Sequence, residues 1–136
     1  MSFEEEIRKQ IEDHQREVSR RNAERKALGK AWEIAKRDAI IPACGTVVDV
    51  ARDYDFLRVG FECENGGCTL ELESPRAKKP PVHLRFTLDL SKGRIGSSSD
   101  FNGEHYFALD PLDIDAIEAR VSFFLDEFLK SLDGGD

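Results

Sequence analysis

Long apolar runs are missing from this sequence. Nothing in its 136 residues approaches the roughly 20 consecutive apolar positions a membrane span needs, so no membrane partner is expected. The opening MSFEEEIRKQ lacks the basic segment and apolar core of a secretory signal, and the expected compartment is cytoplasmic. Cysteine is scarce: three residues, an odd count, do not make a disulfide framework, and a reducing compartment keeps thiols free unless they do redox or metal chemistry. Proline is absent before Pro42, which leaves a long stretch free to be helical. No internal repeat and no low-complexity tract interrupts the chain.

An excess of positive charge is lacking as well. The formal net charge is −7, with ten Lys/Arg against nine Asp/Glu in residues 1–38 and ten against eighteen in residues 39–136. The second part therefore carries no nucleic-acid footprint. Between Arg16 and Arg37 eight cations face three acids, a run read here as a solvated helix in preference to a phosphate-binding one, so nucleic acid is an unlikely partner.

What is present is one globular domain's worth of chain, 40% hydrophobic and 35% charged. The first forty residues read as a single helix. Ile7, Ile11, His14, Val18, Arg21, Arg25, Leu28, Trp32, Ala35 and Ala39 recur at alternating steps of four and three, and Glu4/Arg8, Glu5/Lys9, Glu12/Arg16, Glu17/Arg21 and Glu33/Arg37 offer acid-before-base pairs. From Leu28 to Ile41 the apolar face suffices to cover a core. Before that it is a thin seam of Ile7, Ile11, His14 and Val18, which predicts a protruding or dimerising arm over residues 1–27 and an α+β domain over 28–136.

Beyond Thr46 the period changes to two. Strands are predicted over Thr46–Ala51, Phe56–Cys63, Cys68–Glu73, His83–Leu90, Ile95–Ser99 and Glu104–Leu109, with a proline-rich loop at Ser74–Pro81. A second amphipathic helix follows, capped by Asp110 with Pro111 in its first turn, and carries Ile114, Ile117, Val121, Phe124, Leu125, Phe128 and Leu132 on one face. Short connections imply an antiparallel meander of about five to six strands under both helices, a two-layer α/β sandwich of the α+β class with one sheet face exposed.

The stretch CENGGC fixes the first hairpin. Taking Asn65-Gly66 as a two-residue type I′ turn sets Cys63 opposite Cys68, Phe61 opposite Leu70, Val59 opposite Leu72 and Arg58 opposite Glu73. A slip of one residue would place Phe61 against Glu71. The two cysteines are then a non-hydrogen-bonded pair with Cα atoms about 4.5 Å apart, within reach of a disulfide. Buried thiols on the core face are favoured over a redox pair in a reducing cell, and a zinc site completed by Cys44, His83 or His105 is disfavoured by the loose spacing.

No catalytic constellation emerges. His14 lies in the helical seam, His83 on the charged sheet face, and His105 on the apolar side of its strand, where a core histidine is expected. Gly93–Ser99 lacks the Gly-Lys-Ser/Thr ending and the following helix of a phosphate cradle. No cofactor and no metal are expected.

The exposed sheet face, with Arg58, Glu62, Thr69, Glu71, Glu73, His83 and Arg85, is the candidate partner surface. In layout alone the chain is similar to the small acidic secretion chaperones, which bracket a sheet with two helices, although SPRAKKPP stands where that family has a central helix. The reading is a non-enzymatic interaction protein, adaptor or chaperone-like, acting as a homodimer. Its alternative is a small-molecule site or enzyme pocket lined by Trp32, Phe56, Phe86, Phe107 and Phe124.

Overall fold

The computed structural model describes residues 2–101 and 103–133. Helix α1, Phe3–Ala35, opens on a capping box: the Ser2 hydroxyl accepts from the Glu5 amide at 3.2 Å, and the Glu5 carboxylate accepts from the Ser2 amide at 3.4 Å. Glu4, Glu5 and Glu6 occupy the first turn, where the helix dipole favours negative charge. At Lys36–Ile40 the helix widens into a π-turn, with the Ile41 amide bonded to the Lys36 carbonyl, and it continues as α2, Ile41–Ala51. The wide turn lies directly before Pro42, which has no N–H to give and whose ring would crowd the preceding turn of a regular helix.

The helix therefore runs ten residues past the end expected for it, and Thr46–Ala51 is helical, not a strand. The β-branched residues Thr46, Val47, Val48 and Val50 lower helix propensity only by tenths of a kcal/mol each, roughly. Burial outweighs that. Ile40, Cys44 and Ala51 are buried and Val47 packs against the core, a spacing of four, three and four that belongs to a helix. The Thr46 hydroxyl donates to the Pro42 carbonyl at 2.9 Å, as helical threonines do.

Five strands follow: β1 Arg58–Glu64, β2 Gly67–Glu73, β3 Val82–Asp89, β4 Arg94–Ser99 and β5 His105–Ala108. They form one antiparallel sheet in chain order. The first hairpin has the expected register, with Cys63 opposite Cys68 and Arg58 opposite Glu73. Its turn is not type I′, because neither Asn65 nor Gly66 has a positive φ. Both turn carbonyls are held from outside: the Trp32 indole donates to Asn65 O at 2.8 Å and the Leu88 amide to Gly66 O at 3.1 Å. The hairpin between β3 and β4 does need a glycine, since Gly93 has φ +62° and a Cβ there would meet Leu28 Cδ2 at 3.3 Å.

Helix α3, Ile114–Asp133, begins later than expected. Its cap is Asp113, whose carboxylate accepts from the Ala116 amide at 3.0 Å, while the Asp110–Pro111 bond is cis and lies in the preceding turn. Both helical segments cover one sheet face. The core joins Trp32, Ala35, Ile40 and Cys44 to Leu70, Leu72, Leu84, Phe86 and Ile95 of the sheet and to Ile117, Val121, Phe124 and Phe128 of α3. Arg120 is buried among them and donates from Nε to the buried Ser97 hydroxyl at 2.9 Å.

Several residues expected on the core face are exposed, among them Ile114 in the first turn of α3. Cys63 points the same way as the buried Cys68 but stands on the edge strand β1, beyond the cover of the helices. His105 is exposed on the opposite edge strand, β5. Alternation along a strand gives the side it faces, and position in the sheet decides whether that side is covered.

Candidate interaction surfaces

The uncovered sheet face is built in rows by the strand register. One row runs Glu62, Thr69, Arg85 and Ser98; the next joins Gly60, Glu71 and His83; a third pairs Arg58 with Glu73. The expected partner residues thus lie on one face of β1, β2 and β3. Five of them, Glu62, Thr69, Glu71, His83 and Arg85, line a shallow depression of about 510 Å³ together with Gly67 and Thr87, and Arg58 and Glu73 lie outside it.

His83 is held between two carboxylates. Its Nδ1 lies 3.3 Å from Asp100 Oδ2 and its Nε2 3.7 Å from Glu71 Oε2, while its backbone amide donates to the same Asp100 oxygen at 2.8 Å. Glu71 is predictable from register. Asp100 is not, because it comes from the segment after β4 and only the fold brings it near.

Charges on the β4–β5 side are satisfied internally. Asp89 accepts from the Ser91 hydroxyl at 2.7 Å and from Arg94 Nε at 3.1 Å, and these donors, with the Lys92 amide, hold its carboxyl below the usual range. The Arg94 guanidinium lies 3.5 Å over the Tyr106 ring. The Tyr106 hydroxyl donates to Glu104, and that bond raises the phenol above its ordinary pKa. By contrast, the side chains of Arg58, Glu62, Glu73 and Arg85 make no ion pair among the described residues. They can meet a partner's charges without breaking a bond of their own.

Cys63 and Cys68 are joined in a disulfide, with Cα atoms 4.0 Å apart. Free thiols were expected from the compartment; the geometry of a non-hydrogen-bonded cross-strand pair, which puts the sulfurs within bonding reach, prevails. Cys44 is the free cysteine, and burial pushes its thiol up to about 12. Thiol titration without reductant should therefore find no reactive group in the native protein and one after denaturation. Replacing the pair as Cys63→Ser with Cys68→Ala should cost about 2 kcal/mol in urea unfolding, the loop-closure value for so short a loop.

The N-terminal helix offers a different surface. From Ser2 to Ala27 every residue is exposed except the half-buried Glu17. Phe3, Ile7, Ile11 and Val18 are nonetheless 77%, 39%, 56% and 38% exposed along one stripe, with His14 among them. Phe3, one step of four before Ile7, borders this seam, whose alternation of three and four puts Glu4 at the preceding position. Ion pairs stiffen the helix. Glu4–Arg8 and Glu17–Arg21 form as expected, while Glu12, Glu5 and Glu33 do not take their anticipated partners: Arg16 turns to Asp13, and Lys36 takes Glu33. Glu17 accepts from both Arg20 and Arg21, with Arg20 the larger influence, and its pKa falls to about 2. Within the basic run, Arg16, Arg20, Arg21, Lys36 and Arg37 all have acidic neighbours.

The aromatic residues considered for a ligand pocket are placed otherwise. Trp32, Phe86 and Phe124 are fully buried in the core, Phe107 packs beside Phe86, and Phe56 is exposed next to Tyr54. Among the described residues no group of three or more His, Cys, Asp or Glu side chains has the arrangement to hold a metal, and no helix is long and apolar enough to cross a membrane.

Fold and surfaces together define an α+β protein with a long N-terminal helix, a five-stranded antiparallel sheet and a C-terminal helix. Compared with known proteins, the chain matches no family model, no curated protein and no solved structure.

Proposed function

We propose that this chain is a non-enzymatic interaction protein of the cytoplasm, a homodimer joined through residues 1–27 that offers the polar face of β1–β3 to a protein partner in the manner of an adaptor or chaperone. The observation carrying the proposal is the stripe of Phe3, Ile7, Ile11 and Val18, exposed on a helical stretch that covers nothing in its own chain. In proteins most helical stability comes from packing an apolar face. A second copy supplies such a face. The uncommitted Arg58, Glu62, Glu73 and Arg85 then give each protomer a charged docking surface, and two copies give avidity.

Hydrogen exchange tests the first step. Amide protection over residues 6–21 should rise with protein concentration between roughly 1 and 100 µM, because association stabilises the bound helix by mass action. Protection that is the same at both ends of that range would remove the arm as an interface.

A further inference from the structure

We propose that two copies of the N-terminal helix pair antiparallel, in the register that sets Ile7 of one chain against Val18 of the other, Ile11 against His14, and Glu4 against Arg21. This rests on the reading of the helix as a dimer seam and adds the direction and the alignment of the two chains.

Charge gives the direction. Residues 4–17 carry six acidic and three basic side chains, whereas residues 18–27 carry one acidic and four basic ones. A parallel pair would set like halves side by side along the whole contact. An antiparallel pair sets each acidic half beside the basic half of the other copy. The seam itself sharpens the point, because the alternation of four and three that begins at Ile7 continues through Arg21 and Arg25. In a parallel coiled coil each of these arginines would face its own copy in the contact, where like charges are costly.

Apolar matching gives the register. In an antiparallel pair the two seam positions of the heptad face each other, so permitted alignments differ by whole heptads. With the two-fold axis between residues 12 and 13, Ile7 meets Val18, Ile11 meets His14, and the flanking layer is Glu4 with Arg21. Every seam position from Glu4 to Arg21 then has a suitable neighbour. Arg21 engages Glu17 through Nε, which leaves its terminal nitrogens to reach a carboxylate on the second copy.

A shift of one heptad toward the domain would oppose Ile7 to Arg25 and Glu4 to Leu28. Leu28 is already committed, packed on the core and against Gly93. A shift the other way opposes His14 to Glu4 and leaves Val18 with no seam residue across from it. The favoured alignment also keeps the two sheets apart. The Leu28 positions of the two chains lie about 46 Å from each other at 1.5 Å per residue, so the docking faces stand at opposite ends of the pair.

Spin labels on full-length Lys26→Cys test this directly. Lys26 is exposed and points away from the seam, Cys44 is buried, and Cys63 is bonded to Cys68, so labelling without reductant is specific. The proposed register predicts a distance of about 40 Å between labels. A distance of about 30 Å or about 51 Å would mean one or the other heptad-shifted register, and one below about 20 Å a parallel pair; each overturns the proposal and leaves the dimer standing. Absence of any dipolar signal, with light scattering at the mass of one chain, overturns the dimer reading as well. As a second readout, Glu4→Arg and Arg21→Glu should each weaken association roughly tenfold, and combining them in one chain should restore it. An unaffected Glu4→Arg dimer contradicts the Glu4–Arg21 layer.

Discussion

Trp32→Ala is expected to lower the free energy of unfolding by about 3–5 kcal/mol, the cost of removing a large buried aromatic. Trp32 is 1% exposed and joins three parts of the fold. It is carried by α1, packs in the core with sheet and α3 residues, and donates its indole N–H to the Asn65 carbonyl in the β1–β2 turn. Truncation opens a cavity and also frees the turn that aligns the disulfide pair. Trp32→Phe separates the two contributions: it keeps most of the apolar burial, loses the hydrogen bond, and should cost about 1 kcal/mol in hydrogen bonding plus a smaller packing loss. Urea unfolding followed by far-UV circular dichroism is the suitable measurement, because Trp32 is the sole tryptophan and its replacement removes the fluorescence signal. A cost for Trp32→Ala below about 2 kcal/mol would mean that the helix is not anchored to the sheet through this side chain.

Ile7→Lys with Ile11→Lys should have the largest effect on assembly. Each dimer would lose both isoleucines from both chains, and burial of an aliphatic side chain contributes roughly 1.5–3 kcal/mol when complete. Partial burial in a short seam still implies weakening of at least about two orders of magnitude in the dissociation constant. The urea midpoint of the dilute variant should match that of the dilute unmodified protein, because residues 2–27 lie outside the core. Ser19→Lys, on the same helix but off the seam, should leave association within a factor of a few. If Ser19→Lys weakens the dimer as much as the paired isoleucine change, the stripe is not the interface.

Much of the sheet was legible from period alone. The alternation of Leu84, Phe86 and Leu88 with Arg85 and Thr87 fixed the inward side of β3, and Asn65-Gly66 fixed the first register to the residue. Turn conformation was not legible, because the Asn65 and Gly66 carbonyls are satisfied by Trp32 and Leu88, far away in sequence. The segment Thr46–Ala51 was misread because β-branched residues suggested a strand, although Ile40, Cys44, Val47 and Ala51 already showed helical spacing. The count of five strands, at the lower end of the expectation, follows from that correction.

The open face shows the same division. Its members on β1–β3 follow from register, so Arg58, Glu62, Thr69, Glu71, Glu73, His83 and Arg85 were readable as one surface. Which of their charges stay uncommitted was not, since that depends on Asp100 reaching His83 and on Arg94 turning to Asp89 and Tyr106. The disulfide was legible as geometry and discounted on compartment. Cys63 and His105 were misjudged for one reason: edge strands leave their core-side residues exposed.

Sedimentation equilibrium of the unmodified full-length protein over a dilution series tests the central claim most directly. The account predicts a species of twice the 15.4 kDa chain mass at high concentration, dissociating reversibly on dilution. A single species at the mass of one chain up to roughly 100 µM would contradict it.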